Sequence, residues 1–220
     1  MQRTLEPEVM DTAEEAEAYA SMDHREANRA FVDRLFELGA HGSMLDIGTG
    51  PGQILLAICE RDPKATVLGV DLAERMLRVA RRLRDASRHA HRIELRRADA
   101  KALDLAAGGF DTVLSNTILH HIPDPVPFLR EAFRVLRPGG VLLIRDLLRP
   151  DSPEAANALV TQHASDATPE QRELFRASLH ASLTQDELRS AARAAGLWRF
   201  EITQDSDRHV SIQIAAAGDL

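Results

Sequence analysis

Two aspartates and a glycine-rich stretch set the first chemical expectation for this sequence. Leu45-Asp46-Ile47-Gly48-Thr49-Gly50-Pro51-Gly52 follows an apolar run and opens a helix-like segment, the context in which a glycine motif has physical meaning. Gly48 and Gly50 allow a sharp bend and a close approach of a ligand to the backbone. Asp71 follows about 20 residues later, where a carboxylate can accept both ribose hydroxyls of a nucleoside. A dinucleotide site has the spacing G-x-G-x-x-G, with pyrophosphate against the helix N-terminus. Here the spacing is G-x-G-x-G and an acid, Asp46, precedes it. A carboxylate there is awkward for pyrophosphate and favourable for an ammonium or sulfonium group. The turn therefore suits a cationic nucleoside, with a nicotinamide-dependent oxidoreductase as the rival reading.

A second set of polar residues falls where strands should end: Asn116, His120, His121, Arg145, Asp146, Asp207, Arg208 and His209. Histidine titrates in the range useful for proton transfer. His120 or His121 is the candidate base, and Asp146 its orienter or an alternative base. The bland alternative is a His-His-Ile-Pro-Asp turn leading into a capped helix. Arg145 and Arg208 suggest an anionic acceptor held by paired hydrogen bonds; the alternative is that each pairs with a neighbouring aspartate. His120, His121, Asp146 and His209 lack the sequence spacing of a metal site, so no metal is expected.

These residues need a scaffold, and the hydrophobic pattern supplies one. From Ser43 strand-like and helix-like segments alternate. Strands are expected at Met44–Ile47, Thr66–Val70, Arg92–Leu95, Phe110–Ser115 and Val141–Ile144. The intervening helices carry apolar faces such as Met76, Leu77, Ala80 and Leu83, or Phe128, Leu129, Ala132, Phe133 and Leu136. This predicts a doubly wound, mostly parallel α/β sheet of Rossmann-like type. Trp198–Ile202 and Val210–Ala215 predict an antiparallel C-terminal hairpin, giving seven strands. Ligands in such a sheet sit beyond the carboxyl ends of the strands, and the Gln204–His209 turn joins that crevice if the sixth strand runs parallel to the first five.

Helices are extra at two places. Asp11 and Glu14 have capping-box spacing before a short helix to about Tyr19, and Ala27, Phe31, Leu35 and Leu38 mark a second helix that Gly39 can end. Between Pro150 and Leu183, Ser152-Pro153 and Thr168-Pro169-Glu170-Gln171 each start a helix. We read residues 1–42 as N-terminal lid helices, with Tyr19, Met22 and His24 on the substrate side. Residues 43–220 are the main domain, with a helical insertion at about 150–183.

The motifs LDIGTGPG, GVDLAERML, ADAKAL, FDTVLSNTILHHIPDP and RVLRPGGVLLIRD occur in this order. Together they resemble the successive motifs of class I S-adenosylmethionine-dependent methyltransferases, over roughly Phe31 to Asp146. The resemblance is strongest to the small-molecule branch that includes quinone-ring methyltransferases. It implies methyl transfer from S-adenosylmethionine to a small molecule, with S-adenosylhomocysteine released. It also implies that Gly48, Thr49, Gly50 and Gly52 line the methionine part of the cofactor, with Asp46 near its amino group. Asp71 would hold the ribose hydroxyls and Leu72 pack on the adenine. Asp99 would receive the adenine amino group, with Ala100 beside it, and Asn116 would lie close to the methionine end. Tyr19, Arg145, Arg208 and His209 are the candidate substrate residues.

Composition narrows the partners. Across 220 residues the formal net charge is -7, which repels a phosphate backbone; nucleic acid is not an expected partner. The Arg78-to-Arg88 stretch mixes in Glu74 and Asp85 and reads as a solvated helix face. A single cysteine, Cys59, excludes an internal disulfide and a cysteine-based zinc site. The acidic start lacks the pattern of a secretory signal and no apolar run spans a membrane, so a cytoplasmic protein, monomer or homodimer, is expected. A non-catalytic S-adenosylmethionine-binding module stays open as a further alternative.

Overall fold

The computed structural model describes residues 1–6 and 25–216. Among the described residues seven strands form one sheet: β1 (Ser43–Ile47), β2 (Thr66–Asp71), β3 (Ile93–Arg97), β4 (Phe110–Asn116), β5 (Leu136–Leu147), β6 (Glu201–Gln204) and β7 (His209–Ile214). Their order is β3-β2-β1-β4-β5-β7-β6. The pairs among β1 to β5 are parallel, β7 is antiparallel to β5, and β6 is antiparallel to β7. β6 therefore runs with the first five strands, and the turn after it faces the same edge as their carboxyl ends.

Seven α-helices accompany the sheet among the described residues: α1 (Arg25–Glu37), α2 (Gln53–Arg61), α3 (Glu74–Asp85), α4 (Pro125–Val135), α5 (Pro153–His163), α6 (Pro169–Ala181) and α7 (Gln185–Ala194). Alternation along each strand divides the core between two faces. Leu45, Ile47, Val113 and Leu142 pack with Phe128 and Leu129 of α4 and Leu188 of α7. Their neighbours Met44, Leu114 and Leu143 turn the other way, onto Phe31 and Leu35 of α1 and Leu55 and Ile58 of α2. Both faces are covered over β1, β2, β4 and β5, so each of these strands carries a continuous buried run.

Local signals place the helix starts. Asp124 accepts from the Val126 N–H ahead of Pro125, and Ser152 accepts from the Ala155 N–H. Thr168 with Gln171, and Thr184 with Glu187, form complete capping boxes. Gly39, at φ 89, follows α1. The insertion consists of α5 and α6, whose Ala156, Val160 and Leu179 enclose a small apolar cluster with Leu147 at the end of β5. It stands over the carboxyl edge of the sheet.

Most strand bounds fall within two residues of expectation, but two strands begin well away from the expected residue. β5 begins at Leu136 rather than Val141, because Leu136 pairs with Phe110 across an irregularity before the regular register resumes at Thr112 and Val141. β6 begins at Glu201 rather than Trp198, because its ladder with β7 opens at Glu201 opposite Gln213, leaving Trp198 exposed. The predicted helix from Asp11 to Tyr19 lies outside the described residues, as do Tyr19, Met22 and His24.

Candidate active site

The glycine turn is tied to the neighbouring strand. Gly48 N–H and Thr49 N–H both donate to the Val70 carbonyl, at 2.8 and 3.0 Å. Gly48, Gly50 and Gly52 all have positive φ, at 77°, 52° and 78°, which a side chain would oppose. A Cβ on Gly48 would come within 2.5 Å of the Ile118 methyls, whereas one on Gly50 would meet open space. The turn is thus packed against the segment after β4 at one glycine and open beside the next.

Asp71 ends β2 across from this turn. Its Oδ2 accepts from Gly50 N–H at 2.8 Å, and its Oδ1 accepts from Ala73 N–H at 2.9 Å. These two bonds fix the direction of the Asp71 carboxylate. Asp46 is buried, and its Oδ2 accepts from the Thr49 hydroxyl at 2.7 Å. Burial pushes its carboxyl up to about 7, against the Thr49 hydrogen bond, and the Asp71 charge adds to the rise. A buried carboxylate in this condition is favoured by a nearby cation. The open backbone at Gly50, the aimed acceptors of Asp71 and the undercompensated charge of Asp46 fit a cationic nucleoside.

Leu72 and Ala100 are half-buried on the loops after β2 and β3. Asp99 accepts from the Lys101 N–H at 2.9 Å and its carboxylate lies 3.0 Å from the Lys101 ammonium. Burial acts to raise this carboxyl, but the Lys101 N–H and ammonium hold it below its ordinary value. In this structure Asp99 serves as the acceptor of its own turn.

β4 ends at Asn116, whose Oδ1 accepts from Arg145 Nε at 3.0 Å. Arg145 stands opposite Asn116 in the β4–β5 ladder. Its Nη2 donates to the Ala27 carbonyl at 3.1 Å, and its guanidinium lies 4.8 Å from the Phe31 ring centre. Burial lowers its pKa to about 10, which leaves it charged at neutral pH. His209 is opposite Leu147 in the β5–β7 ladder and shares a hydrogen bond with Ser206 Oγ at 2.9 Å. Burial, then the Arg145 and Arg208 charges, push its pKa down to about 4. Arg208 contacts Asp207 at 3.2 Å and lies against His163 at the end of α5, so it pairs locally, unlike the buried Arg145.

The most developed polar cluster surrounds the 3-10 turn Leu119–His121, which begins just after Ile118. His120 is buried, and its Nδ1 lies 2.6 Å from Asp146 Oδ1. Asp146 Oδ2 accepts from the N–H groups of Leu119 and His120 at 2.5 and 3.3 Å, and Oδ1 accepts from its own neighbour Leu147 at 2.6 Å. Burial works to raise this carboxyl, yet His120 and these N–H groups hold it below the ordinary range. With its oxygens so occupied, Asp146 is suited to orient His120 rather than to take a proton itself.

Sequence reasoning did not anticipate what faces the other side of the histidines. Glu6 Oε1 lies 3.3 Å from His120 Nε2 and 3.0 Å from His121 Nδ1. The Ser178 hydroxyl on α6 donates to Glu6 at 3.2 Å. Nearby, Arg3 donates to the carbonyls of Ala181, Pro123 and Ile122 at 2.6, 2.9 and 3.0 Å. The side-chain nitrogens and oxygens of Glu6, His120 and His121 lie within 4.8 Å of one another, so one carboxylate faces both imidazoles. Each of the three already engages the others or Asp146. No local pattern ties Glu6 to residues so distant in sequence, so only the fold reveals the contact.

Comparison with known proteins accords with this geometry. Residues 38–196 match a methyltransferase domain family. The chain belongs to that family. It is 38% identical over 117 residues to a demethylmenaquinone methyltransferase of Thermus thermophilus, covering 53% of this chain and 51% of the relative. It is 34% identical over 154 residues to a ubiquinone biosynthesis O-methyltransferase of Dinoroseobacter shibae, covering 70% and 59%. Its fold matches a SAM-dependent methyltransferase from Aquifex aeolicus with a TM-score of 0.71 at 18% identity, over 93% of this chain and 98% of the other. The chain spans about half the length of the curated relatives it matches. This membership disfavours the nicotinamide reading. No helix among the described residues is long and apolar enough to cross a membrane.

Proposed function

We propose that this chain transfers a methyl group from S-adenosylmethionine to a small-molecule acceptor. The observation that carries the reading is the buried Asp46 beside an open glycine turn, with Asp71 aimed across it. In this proposal Gly48, Thr49, Gly50 and Gly52 border the methionine portion, and Asp46 balances its positive charge. Asp71 takes the ribose hydroxyls; Leu72, Asp99 and Ala100 border the adenine; Asn116 closes the methionine end. When bound, the cofactor supplies an electrophilic methyl on a sulfonium sulfur.

The chain's own contribution is orientation and proton removal. His121, the more accessible of the two histidines, would take the proton that the acceptor loses on methylation. His120 and Asp146 fix the turn that presents it. Arg145 brings a positive charge to the end of β5, which favours an anionic group on the acceptor, with His209 alongside. The α5–α6 insertion, standing over the strand ends, acts as a lid that excludes water. Two of the relatives are a demethylmenaquinone methyltransferase and a ubiquinone biosynthesis O-methyltransferase, and a hydroxylated aromatic ring is the acceptor class to try first.

Calorimetry with S-adenosylmethionine and S-adenosylhomocysteine tests the cofactor half. Label transfer from methyl-labelled cofactor to catechol, naphthohydroquinone and hydroxybenzoate probes tests the acceptor half. Binding lost in Asp71→Ala supports the assignment; no binding by the wild-type chain removes it.

A further inference from the structure

The methyl-transfer reading leaves Glu6 unassigned, although it is the group on which both histidines converge. We propose that Glu6 is a positioning residue that couples His120 to His121 and makes residues 1–6 a working part of the active site. The inference rests on the reading that a histidine of this pair handles the acceptor's proton.

The geometry is a chain of alternating carboxylates and imidazoles. Asp146 Oδ1 is 2.6 Å from His120 Nδ1, His120 Nε2 is 3.3 Å from Glu6 Oε1, and Glu6 Oε1 is 3.0 Å from His121 Nδ1. The two imidazole centres are 4.2 Å apart and tilted by 37°, so the rings are not stacked face to face and each can direct a nitrogen at the same oxygen. A His121 Nδ1–H that donates to Glu6 fixes the tautomer, with the basic lone pair on Nε2. When Nε2 takes a proton, the new imidazolium already faces a carboxylate. This is the orienting function that a carboxylate performs behind a catalytic histidine.

Residues 1–6 are anchored well enough to hold such a group. The Arg3 guanidinium binds carbonyls from the His turn and from the end of α6, and Thr4 N–H donates to the His180 carbonyl at 3.0 Å. Glu6 has a side-chain exposure of 10%. Burial acts to raise its carboxyl, but the His121 hydrogen bond, the two histidine charges and Ser178 hold it below the ordinary value. Arg3 on this strap feels the charges of Glu187, Arg149 and Asp146, and the Met1 ammonium lies on the same segment, donating to the Asp151 carbonyl. Their signs are mixed, and among the described residues Glu6 is the anion in direct contact with both rings.

The test needs no acceptor. Imidazole proton and carbon resonances are followed against pH in the full chain saturated with S-adenosylhomocysteine, and assigned by loss of signal in His120→Gln and His121→Gln. Removing a carboxylate from direct contact lowers the pH at which an imidazole charges. In Glu6→Gln the His121 curve should therefore move about one unit lower, and in Glu6→Asp it should return part of the way. Thermal melting reports whether each variant is folded, and Ser178→Ala, which keeps the carboxylate, should move the curve far less. Superimposable His121 curves for the wild type and a folded Glu6→Gln would overturn the proposal. Failure to bind S-adenosylhomocysteine would instead remove the methyl-transfer reading, and the same titration without nucleoside would still decide whether Glu6 governs the pair.

Discussion

His120 Nδ1 sits 2.6 Å from Asp146 Oδ1 with both side chains buried, and the same carboxylate gathers the backbone N–H groups of Leu119 and His120. One side chain on β5 thus fixes both the ring and the turn that carries it. Asp146→Ala should cost about 3–5 kcal/mol, the range for removing one partner of a buried charge pair. Asp146→Asn should retain more stability but still lower turnover. The Asp146 pKa is depressed, so its stabilisation is present above the unfolded carboxylate value and lost as pH falls through the lower folded value. Urea unfolding at pH 7 and pH 3 should show a gap between wild type and Asp146→Asn that narrows in acid. A gap independent of pH would count against an ionised Asp146.

Asp46 has the opposite sign. Its carboxyl is raised to about 7 by burial, so the folded state holds the proton more tightly than the unfolded chain. Its contribution to stability is complete below the ordinary carboxylate range and is lost as pH rises through about 7. A cationic cofactor prefers the ionised form. Affinity for S-adenosylmethionine should therefore rise between pH 6 and 8, with proton release on binding seen by calorimetry in buffers of different ionisation enthalpy. Asp46→Asn should bind roughly tenfold more weakly, the scale of one lost charge contact, with the pH dependence gone and a higher melting temperature at pH 8.

Local chemistry made much of this readable. The glycine turn, its strand and Asp71 lie within one β-α-β unit, where backbone requirements select residue types over a few positions. The caps at Asp124, Thr168 and Thr184 are equally local and stand where their side chains imply. What escaped depends on pairing at a distance. The start of β6 is set by its register with β7 rather than by the apolar pattern at Trp198, and Leu136 joins β5 because Phe110 is there to meet it. Glu6 meets Ser178 across 172 positions, and a lone glutamate near an acidic start carries no spacing signal at all.

His209 offers a check on the β5–β7 edge. Burial and the Arg145 and Arg208 charges lower its pKa to about 4, so it is neutral when folded but charges readily when unfolded. The stability it supports is full above the ordinary histidine value and declines as pH falls through about 4. His209→Asn should flatten the stability profile between pH 6.5 and 4, measured by melting temperature, while leaving nucleoside affinity within twofold. An unchanged profile would place its titration elsewhere.

Gly48 links the two halves of the site. A Cβ there would approach the Ile118 side chain to 2.5 Å, and its φ of 77° is itself unfavourable for any residue with a Cβ. Gly48→Ala combines steric overlap with backbone strain, and together these should cost about 2–4 kcal/mol. Ile118 leads directly into the turn bearing His120 and His121, so pressure at Gly48 displaces the histidines as well as the cofactor turn. Ile118→Ala removes the overlap but not the φ strain. The double variant Gly48→Ala with Ile118→Ala should therefore melt above Gly48→Ala alone and recover part of its affinity for S-adenosylhomocysteine. If the two substitutions were additive in melting temperature, with no recovery, Gly48 and Ile118 would be energetically independent, and the coupling between the glycine turn and the histidine turn would have to run through the sheet instead.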